Sequence, residues 1–122
     1  METPSAPEVA SEGLEIVTAI GYRWGVGWAE RILGRIALAR DLLPEAELHL
    51  DAALTTFTEM GAQYDVARTR LDVAGLTHRR GEREATGAHL EAALRLFTTR
   101  RIPRYVARTR RLREELGVTL PR

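Results

Sequence analysis

The sequence predicts an all-α chain of about six helices, folded as stacked antiparallel helical hairpins. Three observations carry that expectation. The sequence repeats itself at a fixed interval of 40 residues. Apolar residues within each copy recur at helical spacing, and glycine and proline fall where helices of that length must stop and start.

The repeat is direct. The segment HLDAALTTFT at 49–58 recurs as HLEAALRLFT at 89–98, and VARTR at 66–70 recurs at 106–110. Both blocks shift by 40 positions, and 12 of the 22 aligned residues across 49–70 and 89–110 are identical, far beyond chance. A weaker copy lies earlier, where Gly21 matches Gly61, Trp24 matches Tyr64, Val26 matches Val66, and Gly27 stands with Ala67 and Ala107. Leu50, Ala53, Leu54 and Phe57 form one helical stripe, and Leu90, Ala93, Leu94 and Phe97 repeat it. No alternating run and no Asn-Gly or Asp-Gly turn argues for strands.

Each helix has its own signals. Ser5 with Glu8 makes a capping box, Pro7 fits a first turn, and Val9, Gly13, Ile16 and Ile20 form a stripe ending at Gly21. A second helix carries Trp24, Trp28, Ile32, Leu33 and Ile36 to about Arg40. Pro44 opens the third after a turn at Asp41–Leu43, and Gly61 closes it. The fourth runs from about Gln63 to Arg80 and stops at Gly81; the fifth runs from about Arg83 to Arg100. Pro103 opens a sixth that ends near Gly117. One repeat domain over 6–117 is expected, with tails at 1–5 and 118–122.

Composition narrows the chemistry. The 122 residues include no cysteine, which excludes disulfides, thiolate metal sites and a cysteine nucleophile. All 18 basic residues are arginine, a bias that GC-rich genomes produce; without lysine there is no Schiff-base nucleophile and no P-loop lysine. Gly21, Gly25 and Gly27 have the wrong spacing for a phosphate loop and follow no strand, so close helix packing is their expected role. His49 and His89 occupy one place in successive repeats with no second ligand at i+4, so no metal and no cofactor are expected. There is no Gly-x-Ser-x-Gly elbow, and the only serines are Ser5 and Ser11; the chain is not expected to be an enzyme. With no apolar run of membrane length and no signal pattern, a cytoplasmic location is expected.

The residues Leu33-Gly34, Ala46, Leu50, Ala53 and Leu54 resemble the tetratricopeptide repeat signature. Val73-Ala74, Gly81 and Ala93-Leu94 continue it in the next copy. Two places depart: Thr86 stands where Ala46 does, and Asp41 where a turn glycine is usual. The 40-residue period and the phrase Gly21-Tyr22-Arg23-Trp24-Gly25-Val26-Gly27-Trp28-Ala29 look like the repeat regions of large bacterial signalling proteins, namely ATPase-linked transcription regulators and nucleotide cyclases. The resemblance covers about residues 12–117. It implies an α-solenoid segment that serves as a scaffold for protein partners.

By the family pattern, the first helices of the hairpins would line a groove with Trp28, Arg31 and Arg35, then Arg68, Leu71 and Arg79, then Arg108 and Arg111. Guanidinium groups bind carboxylates through paired charge-assisted bonds, so this lining suits an acidic protein segment. The family's carboxylate clamp needs asparagine and lysine, both absent here, so that activity is not carried over. The competing reading pairs these arginines with Asp65, Asp72 and Glu30. Two further readings of the whole chain are a small-molecule-sensing regulatory region and nucleic-acid binding through Arg95–Arg113, which holds eight arginines and no acid. The latter stretch lacks interleaved base-stacking aromatics and keeps Tyr105, Thr109, Leu112 and Leu116 at packing spacing.

Charge also points to self-association. Residues 1–61 hold 4 Arg against 10 acids and residues 62–122 hold 14 Arg against 7, so the halves carry −6 and +7. Val9, Ile16, Val17 and Ile20 with Trp24 offer more apolar surface than one neighbouring helix covers, whereas Arg104, Arg108, Arg110, Arg111 and Arg113 make the last helix a polar cap. A homodimer is the expected closure.

Overall fold

The computed structural model describes residues 3–118; the outermost tail residues, 1–2 and 119–122, lie outside the described part. The described residues form six α-helices and no strand: α1 (Ala6–Ala19), α2 (Arg23–Ala39), α3 (Leu43–Met60), α4 (Gln63–Arg79), α5 (Arg83–Thr99) and α6 (Pro103–Leu116). The chain divides into two compact units, residues 1–62 and 63–122. In the first, α2 and α3 make a hairpin and α1 packs on α2. In the second, α4 and α5 make the hairpin, and α6 packs on α5 and touches α4.

The helices begin and end where local chemistry dictates. The Ser5 hydroxyl accepts from the Glu8 N–H while the Glu8 carboxylate accepts from the Ser5 N–H, both at 3.3 Å, which satisfies two orphan donors at the start of α1. Five successive turns each contain one residue with left-handed φ, at positions 21, 41, 61, 81 and 101. Three of these are glycine; Asp41 (φ 59°) and Arg101 (φ 56°) adopt the same conformation without being glycine. The turn geometry therefore persists where the repeat has lost its preferred residue, because the helices on either side fix it.

Helix approach sets the core. A Cβ on Gly34 would lie 2.6 Å from Leu50 Cγ, and one on Gly27 would lie 2.6 Å from the Phe57 ring. Small residues on α2 thus seat large ones on α3. Ala46, Leu50, Ala53 and Phe57 are wholly buried in the first unit. Leu90, Ala93 and Phe97 are wholly buried in the second, in a cluster with Ala67, Leu71, Ala74 and Tyr105. Gly25 meets Val17 of α1 and Tyr22 in the same manner, which is how α1 docks on α2.

Polar residues at equivalent seams differ between the units. In the first, His49 Nδ1 lies 2.6 Å from Glu30 Oε2, so the ring donates to the carboxylate. In the second, the equivalent His89 Nδ1 lies 3.1 Å from Arg70, and since a guanidinium only donates, the ring accepts. Glu30 and Arg70 are themselves one repeat apart, so a charge exchange on the first helix reverses the wiring of the histidine. Thr86, the departure noted above, is buried and bonded at 2.7 Å to Thr77, which stands where Ala37 stands in the first unit. The two threonines replace two alanines together.

Candidate functional site

The richest polar arrangement lies in the second unit, at the start of α4 and α6. Tyr64 and Tyr105 come from those helices and meet edge to face at 5.6 Å between ring centroids; Phe97 of α5 stacks on Tyr105 at 4.9 Å. Three helices thus contribute one ring each. Tyr105 is buried because its ring fills the space that α6 leaves between itself and the α4–α5 hairpin.

Arginines gather on these rings. Arg68 Cζ lies 5.3 Å from the centroid of Tyr64 and 5.8 Å from that of Tyr105. Arg104 and Arg108 sit one helical turn apart on α6, at 5.4 and 5.6 Å from the Tyr105 centroid. A guanidinium over an aromatic face gains about 0.5–2 kcal/mol according to its desolvation, enough to hold three like charges close together. A counter-charge, Asp65, lies 3.8 Å from Arg68. The Arg68 Nε is buried and has no hydrogen-bond partner. Burial and the contact with Tyr105 raise the Tyr64 phenol above its ordinary value, while Arg68 and Arg104 pull it the other way; the ring stays neutral near pH 7.

The sequence-predicted lining distributes unevenly. Trp28, Arg31 and Arg35 belong to the first unit, where Trp28 is exposed and stacks on Trp24, Arg35 is exposed, and Arg31 is buried. Arg68, Leu71, Arg79, Arg108 and Arg111 belong to the second. Of these, Arg68 and Arg108 are brought together on Tyr105, and Leu71 is core. Arg79 is exposed about 16 Å along α4 from Arg68, and Arg111 is exposed on α6. Of the competing acid partners, Asp65 faces Arg68, whereas Glu30 faces His49. Arg31, Arg35, Arg79 and Asp72 are each engaged in other interactions.

Arg104, Tyr64 and Tyr105 were absent from the expected lining. The 40-residue shift carries Tyr64 onto Arg104 and Asp65 onto Tyr105, but these are the last of seven successive differing places, 59–65 against 99–105, so the repeat does not single out the two positions that build the cluster. Chemically, guanidinium groups held on rings suit paired charge-assisted bonds to an anion. The cluster offers several N–H donors on aromatic supports, with the Asp65 carboxylate beside Arg68. Among the described residues no group of acids and histidines is arranged to hold a metal, and no helix is long and apolar enough to cross a membrane. No protein-family model, curated protein or solved structure matches this chain.

Proposed function

We propose that the chain is a non-catalytic interaction module of the tetratricopeptide-like kind, and that it binds an acidic protein segment at Arg68, Arg104 and Arg108. The observation that supports this reading is the convergence of three guanidinium groups on the Tyr105 ring. Aromatic support fixes the planes of long side chains before a ligand arrives. Less conformational freedom is then lost when paired bonds to carboxylates form. The small-for-large seating of Gly34 under Leu50 and Gly27 under Phe57 supports the repeat-family half of the proposal.

Isothermal titration with a synthetic peptide rich in Asp and Glu tests the reading. A charge-assisted bond contributes about 1.5–3 kcal/mol, so Arg108→Ala is expected to weaken binding about tenfold or more and to flatten its salt dependence. Arg68→Ala is expected to weaken binding similarly and to cost some stability, because Arg68 rests on two rings. Equal binding by parent and both variants would reject the site. Tighter binding of duplex DNA than of the peptide would favour the nucleic-acid reading instead.

A further inference from the structure

The two hairpins share one seating rule. On α2, Arg23 holds Glu59 at 2.6 Å, Gly27 seats the Phe57 ring, and Glu30 holds His49 at 2.6 Å. On α4, Gln63 holds Arg100 at 2.5 Å and Arg70 holds His89 at 3.1 Å, with Ala67 buried beside Phe97. One repeat further, the same three positions are Pro103, Ala107 and Arg110 of α6. Together with Ile102, Val106 and Phe97 they line an open, largely apolar hollow of about 490 Å³. Ala67 is 3% exposed, but Ala107 lies open. Thus α6 is built as the first helix of a hairpin, and no second helix follows it among the described residues.

The opposite holds for α1. Counting back 40 residues from α3 places Ala6 with Ala46, Leu14 with Leu54, Thr18 with Thr58 and Gly21 with Gly61, so α1 has the phase of a second helix. Its row Val9, Ile16 and Ile20 occupies the places of residues 49, 56 and 60, and of 89, 96 and 100. From that row His49, His89 and Arg100 reach their own first helices. In α1 the row is turned to solvent, 55%, 62% and 69% exposed, while Val17 packs on Gly25.

We propose that the hollow on α6 is the seat of a second helix and that α1 of another copy of this chain occupies it. Chemistry matches on both sides. Residues 3–22 carry Glu8, Glu12 and Glu15 with no basic residue, whereas residues 100–113 carry seven arginines and no acid. In the register of the other hairpins, Val9 meets Arg110, and Glu12, one turn along, takes its guanidinium. Ile20 comes to Pro103, as Arg100 comes to Gln63, and Ile16 lies beside Val17, the residue this register sets on Ala107 as Phe57 is set on Gly27. The contact is head to tail: each copy offers one α1 and one α6, so association continues beyond two chains unless a ring closes. It uses Ala107 and Arg110 and does not depend on the acidic-segment site at Arg68, Arg104 and Arg108.

Sedimentation equilibrium on the full chain tests this. At low salt the average mass is expected to rise with concentration above that of one chain, and to fall back as salt is raised. Two double variants separate the surfaces: Ile16→Glu with Ile20→Glu on α1, and Ala107→Glu with Arg110→Glu on α6. All four positions are exposed, and circular dichroism verifies the helices. Each variant alone is expected to stay at the mass of one chain, since one of its two surfaces is lost. Their equimolar mixture is expected to reach the mass of two chains and no more, through the intact α6 of one and the intact α1 of the other. A parent that stays at one-chain mass up to about 1 mM at low salt would overturn the proposal. So would self-association of either variant alone, or a mixture that never pairs.

Discussion

Gly34→Ala is the perturbation that most sharply probes how the first hairpin is held. The new Cβ would stand 2.6 Å from both Cγ and Cδ2 of Leu50 and 3.2 Å from the Leu50 backbone nitrogen. Leu50 has no exposed surface, so its side chain has nowhere to retreat, and the backbone nitrogen belongs to the helix itself. Overpacking of this kind costs about 1–3 kcal/mol, and replacing a mid-helix glycine by alanine returns at most about 1 kcal/mol. Because a branched carbon and a backbone atom are both too close, the steric cost falls in the upper part of its range. The net loss is therefore about 1–2 kcal/mol. Leu50→Ala alone is expected to cost about 2–5 kcal/mol through loss of buried contacts. The double variant is expected to cost less than the sum, since the new methyl group then enters the space that Leu50 leaves. Urea denaturation followed by the fluorescence of Trp24 and Trp28, both on α2, reports on this unit. If Gly34→Ala were as stable as the parent, the two helices would not be held at the separation that Gly34 permits, and the seating argument would fail.

Three further outcomes follow from particular residues. Arg101→Gly is expected to stabilise the chain by about 0.5–1 kcal/mol because it relieves a left-handed residue with a side chain; Asp41→Gly gains less, since aspartate tolerates that region, and thermal melts rank the two. Thr86→Ala is expected to cost about 1 kcal/mol by leaving Thr77 short of one bond, whereas Thr77→Ala with Thr86→Ala, which copies Ala37 and Ala46, is expected to cost less than the single change in denaturant titrations. Nitrogen NMR at a pH where imidazole is neutral is expected to find the proton of His49 on Nδ1 and that of His89 on Nε2, and Arg70→Glu should move the His89 proton to Nδ1.

Much of this architecture was legible in the sequence, for definite reasons. A helix buries residues at a fixed angular period, so Leu50, Ala53 and Phe57 announce their face without any knowledge of their partner. The capping box at Ser5 and the glycines at 21, 61 and 81 are local signals, and the helix limits fall beside them. The turns at Asp41 and Arg101 show the limit of such signals, because tertiary context imposes a left-handed residue that aspartate only tolerates and arginine does not advertise at all. The Thr77–Thr86 pair was legible only as a departure at Thr86; its reason needs two positions on different helices to be seen together. The arginines were the least legible. A long side chain with several rotamers can lie on either flank of its helix, so the family pattern named Arg31 and Arg68 alike, yet one is buried in the first unit and the other is spread on two tyrosines in the second. The change to Arg104-Tyr105 ends a run of seven differing places, 59–65 against 99–105, so nothing in the repeat sets it apart, and it reads as a site only when Tyr64 and Phe97 stand beside it.

The measurement that bears most directly on the acidic-segment site is an NMR titration of the arginine side-chain Nε–H signals with the Asp- and Glu-rich peptide. The signals of Arg68, Arg104 and Arg108 are expected to shift together along one saturating curve, with those of Arg79 and Arg95 unmoved. A titration in which these three stay fixed, or in which every exposed arginine shifts alike without saturating, would contradict the site and leave the Tyr105 cluster with a structural role only.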